Sequence, residues 1–283
     1  MSGLKECLEI VRPTDVFLMG LGVFVGSVIS TGRVMLSQEL IAGSVACGIF
    51  TAFAMLTNDI IDLEIDKINE PTRPIPSGRF TVKGAMDYSL VLLVFAIVVA
   101  TLTRDVWWIT IPPLVAFLSV FYNIFLKRIG FLGNILVSVL VGLSFIGGGL
   151  IAVGHIPTYL ILFSVMAFLA NLGREVHKGV VDIEGDAARG TRTIAVSYGR
   201  ETAKRVAALL YCFAILLALA PIPLGLTNTY YPYMIGAICV LFFSSIYRLF
   251  RTNDKAKLRL EKNLVRIWML FAMISFMIGG VRI

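Results

Sequence analysis

Residues 58–79 read NDIIDLEIDKINEPTRPIPSGR and close an apolar run that begins near Leu40. On a helix advancing about 100° per residue, Asn58, Asp59, Asp62 and Asp66 fall within roughly 100° of one another, whereas Glu64 points away. One face therefore presents three carboxylates and an amide at what should be a membrane surface. Carboxylates this close repel and resist desolvation unless a cation sits among them, so the face is a candidate seat for a divalent metal. The plainer alternative is an acidic, solvated helix end. Against it, a helix C-terminus disfavours anions through its dipole, and these acids gather on a single side.

Working outward, 58% of the 283 residues are hydrophobic and the mean hydropathy is +0.87, which excludes an ordinary soluble domain. A hydrocarbon core of about 30 Å needs spans of about 20 apolar residues. Nine are legible, at 14–32, 38–58, 84–103, 106–126, 131–153, 157–176, 203–221, 230–249 and 264–281. The chain is expected to be an all-α membrane protein, a single domain over 1–283. All but three of its 25 lysines and arginines lie in the N-terminal segment and the loops after the even-numbered spans. That asymmetry places the N-terminus in the cytoplasm and the C-terminus outside. The net charge of +7 is then a matter of topology and contact with anionic lipid headgroups, and nothing argues for nucleic acid. Cys7, Cys47, Cys212 and Cys239 lack metal or disulfide spacing and read as small packing residues. His155 and His177 lack zinc-ligand spacing. The first span has no basic cluster or small-residue cleavage site beside it, so it is expected to be retained.

Residues 4–12 put Leu4, Leu8 and Val11 on one side, the pattern of a short helix lying at the interface. Arg12 either snorkels to headgroups or reaches a phosphate collected at the same surface. After Asp66, Pro71, Pro74 and Pro76 forbid a long helix and leave a stiff loop carrying Lys67, Arg73, Arg79 and Lys83. Carboxylates followed at once by guanidinium forks suit a metal-bridged phosphate. A tight hairpin around Arg104 and Asp105 has Trp107 and Trp108 at its turn, as an interfacial belt would. Span four returns Tyr122, Lys127 and Arg128 to the inner surface, where the two cations could be topological anchors alone. The glycines of GLSFIGGGL in span five favour close helix packing.

Span six is the second informative element. From Asn171 the chain reads NLGREVHKGVVDIEGDAARGTRT, and Asn171, Arg174, Glu175, Lys178, Asp182 and Asp186 share a stripe about 120° wide if the helix continues. Asp182 and Asp186 each follow Asp62 and Asp66 by 120 residues, and a Ser-Gly-Arg-like exit follows each pair, which suggests an internal repeat. Four spans lie between the two sites, so both open on the same membrane face. The inner loop RLFRTNDKAKLRLEKNLVR is read as a solvated, lipid-touching turn.

NDxxDxxxD at Asn58–Asp66 together with DxEGD at Asp182–Asp186 resembles the UbiA superfamily of intramembrane prenyltransferases, and in particular its archaeal ether-lipid branch. The resemblance implies nine transmembrane helices around a central chamber open sideways to lipid. It also implies a magnesium and diphosphate site at Asn58, Asp62, Asp66, Asp182 and Asp186, with two Mg²⁺ ions bridged by the diphosphate. Arg73, Arg79 and Lys127, with Arg12 and Arg192, would help hold the substrate, and Tyr122 and Lys178 would stand near the reacting carbon. Arg192 lies in Thr191-Arg192-Thr193, where relatives often carry Lys-Thr. The implied reaction moves a geranylgeranyl group from its diphosphate to the hydroxyl of geranylgeranylglyceryl phosphate. This would form the second ether bond of an archaeal-type lipid, at the cytoplasmic face of the cell membrane and with no obligatory protein partner. An aromatic prenyltransferase of quinone or haem biosynthesis is the nearest alternative. A lipid-phosphate transporter fits less well, because transporters place their polar groups near the bilayer midplane. A CDP-alcohol phosphotransferase would need a DGxxAR run, and there is none.

Overall fold

The computed structural model describes residues 3–121, 130–188 and 190–281, and its described residues form helices without strands. The order is α1 (Leu4–Ile10), α2 (Pro13–Thr31), α3 (Gln38–Ile61), α4 (Leu63–Asn69), α5 (Val82–Thr101), α6 (Val106–Phe121) and α7 (Gly130–Val153). It continues with α8 (Thr158–Val181), α9 (Ile183–Ala188), α10 (Ile194–Tyr198), α11 (Arg200–Leu219), α12 (Tyr231–Arg251) and α13 (Lys255–Gly280). Eight of these, namely α2, α3, α5, α7, α8, α11, α12 and α13, are long and apolar enough to cross a membrane. The fourth expected span appears as α6, which carries Pro112 and Pro113 and reaches the last described residue before 122–129. Tyr122, Lys127 and Arg128 lie outside the described residues.

In lipid, apolar surface gives little net drive for helices to associate, so close backbone approach and dispersion must do so. The α2–α7 pair shows this directly, since a Cβ on Gly148 would overlap the Val23 carbonyl and one on Gly26 would overlap the Phe145 backbone. The main core joins α2, α7, α8, α11, α12 and α13 around Phe145, Phe163, Tyr211 and Tyr231, all at most 1% exposed. A second cluster holds α3, α5 and α6 together through Ala46, Phe50, Phe53 and Ala96.

The ends of the bundle depart from expectation in two places, Trp108 and the basic loop, and add one anchor at α1. α1 is the short helix expected, with Leu8 exposed; what the sequence did not show is that Ile10 is buried against Leu56, Ile75 and Phe80 and so fastens α1 across the end of α3. Trp108 is not interfacial but buried, donating its indole N–H to the Gly147 carbonyl at 3.3 Å. Trp107 does stay exposed. The basic loop near 250–262 is no solvated turn, because Asp254 caps the Lys257 amide and α13 starts at Lys255. Spacings of four, three and four then put Lys255, Arg259, Lys262 and Arg266 on one side of α13.

Candidate active site

Neither acidic run lies on one continuous helix. α3 ends at Asp62 (φ −89°, ψ 7°) and α8 ends at Asp182 (φ −100°, ψ 13°), both in the sparsely populated bridge region. Each aspartate closes the helix before it, through N–H bonds to the Asn58 carbonyl at 2.9 Å and to the Lys178 carbonyl at 3.0 Å. Each then accepts from the fourth residue on: the Asp66 amide bonds the Asp62 carbonyl at 2.9 Å, and the Asp186 amide bonds the Asp182 carbonyl at 3.0 Å. The break removes the dipole conflict raised by the sequence. Glu64 and Asp66 fall in the first turn of α4, and Glu184 and Asp186 in the first turn of α9, where a helix dipole favours anions.

The two short helices pack against each other. Gly185 of α9 lies so close to Asn69 of α4 that a Cβ there would overlap its carboxamide. α13 ties the pair together from above. Arg259 donates to the Asn69 carbonyl at 3.1 Å and pairs with Glu70 at 3.2 Å, and Lys255 reaches Glu184 at 3.1 Å. Sequence reading missed this role of α13, because basic residues at a membrane rim fit headgroup contact equally well.

On the α3–α4 side, Asn58 donates to Asp62 at 2.9 Å, and Arg73 donates to Asp66 at 2.7 Å while standing 3.5 Å from Asp59. Arg12 is ion-paired with Asp59, which is buried. Arg12 thus turns inward, and Asp59 serves as an anchor for two guanidinium groups. Burial raises the Asp66 carboxyl above the ordinary carboxylate range; Arg73 opposes that shift, and Asp59 and Asp62 add to it. Arg79 lies elsewhere, exposed and committed through two bonds of 2.8 and 2.9 Å to Glu9 on α1. Arg192 is exposed on the loop before α10. On the α8–α9 side, Lys178 faces Asp182 and lies 3.8 Å from Glu175.

Among the described residues no three Asp, Glu, His or Cys side chains converge as a ready-made metal site. Asn58, Asp62, Asp66, Asp182 and Asp186 are therefore not one preassembled seat: Asn58 lies on α3, Asp62 and Asp182 at the two breaks, and Asp66 and Asp186 on the touching helices α4 and α9. Magnesium commonly takes only one or two carboxylates, with phosphate oxygens and waters completing its shell, so paired acids suffice. The Asp182 Oδ1 atom is buried with no hydrogen-bond partner, the condition of an oxygen that a cation would satisfy.

Two acid-bearing helix breaks, each followed by a short helix that packs on the other, thus lie at one end of a bundle of apolar spans. The chain belongs to the UbiA prenyltransferase family, which matches residues 19–274, and it is a multi-pass membrane prenyltransferase. Among curated proteins it is similar to digeranylgeranylglyceryl phosphate synthases. That of Methanopyrus kandleri is 34% identical over 97% of this chain and 98% of the relative, and that of Thermococcus kodakarensis is 32% identical over 98% of each. A solved structure concerned with digeranylgeranylglyceryl phosphate synthase in membranes superposes over 100% of both chains with a TM-score of 0.73 at 25% identity. A UbiA homologue from Archaeoglobus fulgidus bound to GPP and Mg²⁺ shares the fold, with a TM-score of 0.68 at 17% identity over 96% of this chain and 99% of that one.

Proposed function

We propose that the chain transfers a geranylgeranyl group from its diphosphate to the free hydroxyl of geranylgeranylglyceryl phosphate, making the second ether bond of an archaeal-type membrane lipid. The observation that carries this reading is the contact between α4 and α9, which brings the Asp62–Asp66 and Asp182–Asp186 pairs to one rim. Full-length similarity to synthases of that name supports the choice of substrates. The matched geometry at Asp62 and Asp182 also supports an internal repeat within one domain. Nine crossings, an N-terminus in the cytoplasm and a site at the cytoplasmic face of the cell membrane complete the reading, and the charge asymmetry of the loops supports it.

Asn58, Asp62, Asp66, Asp182 and Asp186 would hold magnesium, in two ions shared with the diphosphate. Bound magnesium would neutralise the charge that builds on the pyrophosphate oxygens as the allylic C–O bond stretches. Arg73 and Arg12, held side by side by Asp59, present guanidinium forks to the same anion, and forks of this kind bind phosphate oxygens in pairs. The bond pair leaves with pyrophosphate, the acceptor oxygen bonds the allylic carbon, and the hydroxyl proton is released. Lys178 stands beside Asp182, where it would steady the departing anion. The allylic cation requires a site closed to water, and a chamber among apolar spans meets that need.

Incubating purified protein with Mg²⁺, labelled geranylgeranyl diphosphate and a mixture of glyceryl-phosphate and aromatic acceptors, then identifying products by mass spectrometry, tests the reading. A diether lipid phosphate is expected. A prenylated aromatic product, or no product, would overturn it.

A further inference from the structure

At the corner where α11 begins and α12 turns into α13 lies a lysine that the chemistry above does not use. Lys204 of α11 is 1% exposed, among the largest side chains to be fully buried. An ammonium carries three donors and no acceptor, and burying one without partners is costly. Here all three find partners, in Glu201 Oε1 at 2.9 Å, the Thr252 carbonyl at 2.9 Å and Asn253 Oδ1 at 2.7 Å. Two of these partners belong to the turn between α12 and α13. Arg200 holds the same turn, donating to the Asn253 carbonyl at 3.3 Å. Apolar replacements of buried charges are often neutral or stabilising, so stability alone does not account for the lysine.

The turn decides where α13 starts. Thr252 leaves α12 in an extended conformation (φ −143°, ψ 147°), its hydroxyl accepts from the Asp254 amide at 3.1 Å, and Asp254 caps the Lys257 amide at 2.9 Å. α13 thus begins at Lys255, directly after the capped turn. Its first turns carry Lys255 to Glu184 on α9 and Arg259 to Asn69 and Glu70 at the end of α4. Arg259 stands one helical turn past Lys255, about 6 Å along the axis, so a displacement of the turn reaches it almost undiminished. On its other side α11 packs along α8, where a Cβ on Gly173 would overlap the Tyr211 ring, and α8 ends at Asp182. The contacts therefore close a circuit, from α8 through α11, Lys204 and the turn to α13, and back to α9 and α4.

We infer that Lys204 is a positioning residue for the reaction: bonded to neither acid pair, it fixes the start of α13 and, through Arg259 and Lys255, the placement of α4 against α9 and so of Asp66 against Asp186. The inference rests on the role proposed above for those acids.

The test is hydrogen exchange read by mass spectrometry on the full chain in detergent, without metal or substrate, beside turnover of the same preparations. Lys204→Met removes all three bonds. Asn253→Ala removes only one and leaves the lysine its bonds to Glu201 and Thr252, so it serves as the milder variant should the first fail to unfold cooperatively. Exchange should quicken at the corner, over 200–204 and 252–258, and also over 63–70 and 183–188, the segments of α4 and α9. In Lys204→Met the change should be about ten- to a hundredfold, the worth of one hydrogen bond to a charged group, and kcat/KM should fall by a similar factor. Arg259→Met should quicken exchange over 63–70 by itself, and adding Lys204→Met to it should add little there, because the strut is already cut. Quickening confined to the corner, additive effects of the two substitutions over 63–70, or unchanged turnover in Lys204→Met would each overturn the inference. The expected exchange pattern in a chain that makes no ether product would instead sink the proposed reaction and leave the strut from Lys204 to α4 and α9 standing.

Discussion

Gly185→Ala adds one methyl group and removes no charge, yet it strikes the contact on which the site depends. The new Cβ would meet the Asn69 carboxamide across the α4–α9 junction, where Asn69 is buried and its backbone carbonyl is held by Arg259. Neither helix can yield freely, because each is hinged at an aspartate and tied to α13. Overpacking of this kind costs about 1–3 kcal/mol of stability. Its larger effect is on position: separating the acid pairs by about 1 Å is expected to lower kcat/KM about a hundredfold. Asn69→Ala deletes the atoms that the methyl would meet, and the Asn69 Oδ1 atom has no hydrogen-bond partner to lose. The double variant Gly185→Ala/Asn69→Ala should therefore recover most of the activity, a positive coupling readable in a double-mutant cycle. The assay is prenyl transfer at saturating Mg²⁺, with thermal unfolding measured on the same preparations. Full activity in Gly185→Ala, or an equal loss in the double variant, would refute the claim that α4–α9 contact aligns the two acid pairs.

Asp62→Asn and Asp182→Asn should each abolish turnover while unfolding cooperatively near the wild-type temperature; retained turnover in both would remove the metal assignment. Chelation should silence the enzyme, and added Mg²⁺ should restore it, as measured by product formation. Arg73→Met should weaken pyrophosphate binding in the presence of Mg²⁺ about ten- to a hundredfold, judged by competition with labelled pyrophosphate. Arg79→Met should change turnover only a few-fold and leave the unfolding temperature near that of the wild type, as for an exposed pair, because its partner is Glu9. The Arg79 fork holds the Glu9 carboxyl below its usual value, so the contribution of this strap is present above about pH 4.3 and is lost as the pH falls through the lowered value. A denaturation midpoint that falls on acidification in the wild type as steeply as in Glu9→Gln would argue against the strap.

Run length and hydropathy were enough to read an all-helical chain of apolar spans, because a hydrocarbon core admits few other backbones. Spacing was enough to read the two acid pairs, since Asp62 and Asp182, and Asp66 and Asp186, keep one offset of 120 residues. Only the tertiary structure decided that the helices break at Asp62 and Asp182, which moves the following acids from an unfavourable helix end to a favourable helix start. It alone turned Arg12 toward Asp59 and Arg79 toward Glu9, and joined Asp15 to Arg266 across a separation of 251 residues. Periodicity records which residues share a face, but not which neighbour that face will meet. At a membrane rim a cation satisfied by lipid headgroups and one satisfied by a buried carboxylate read alike until the chain is folded.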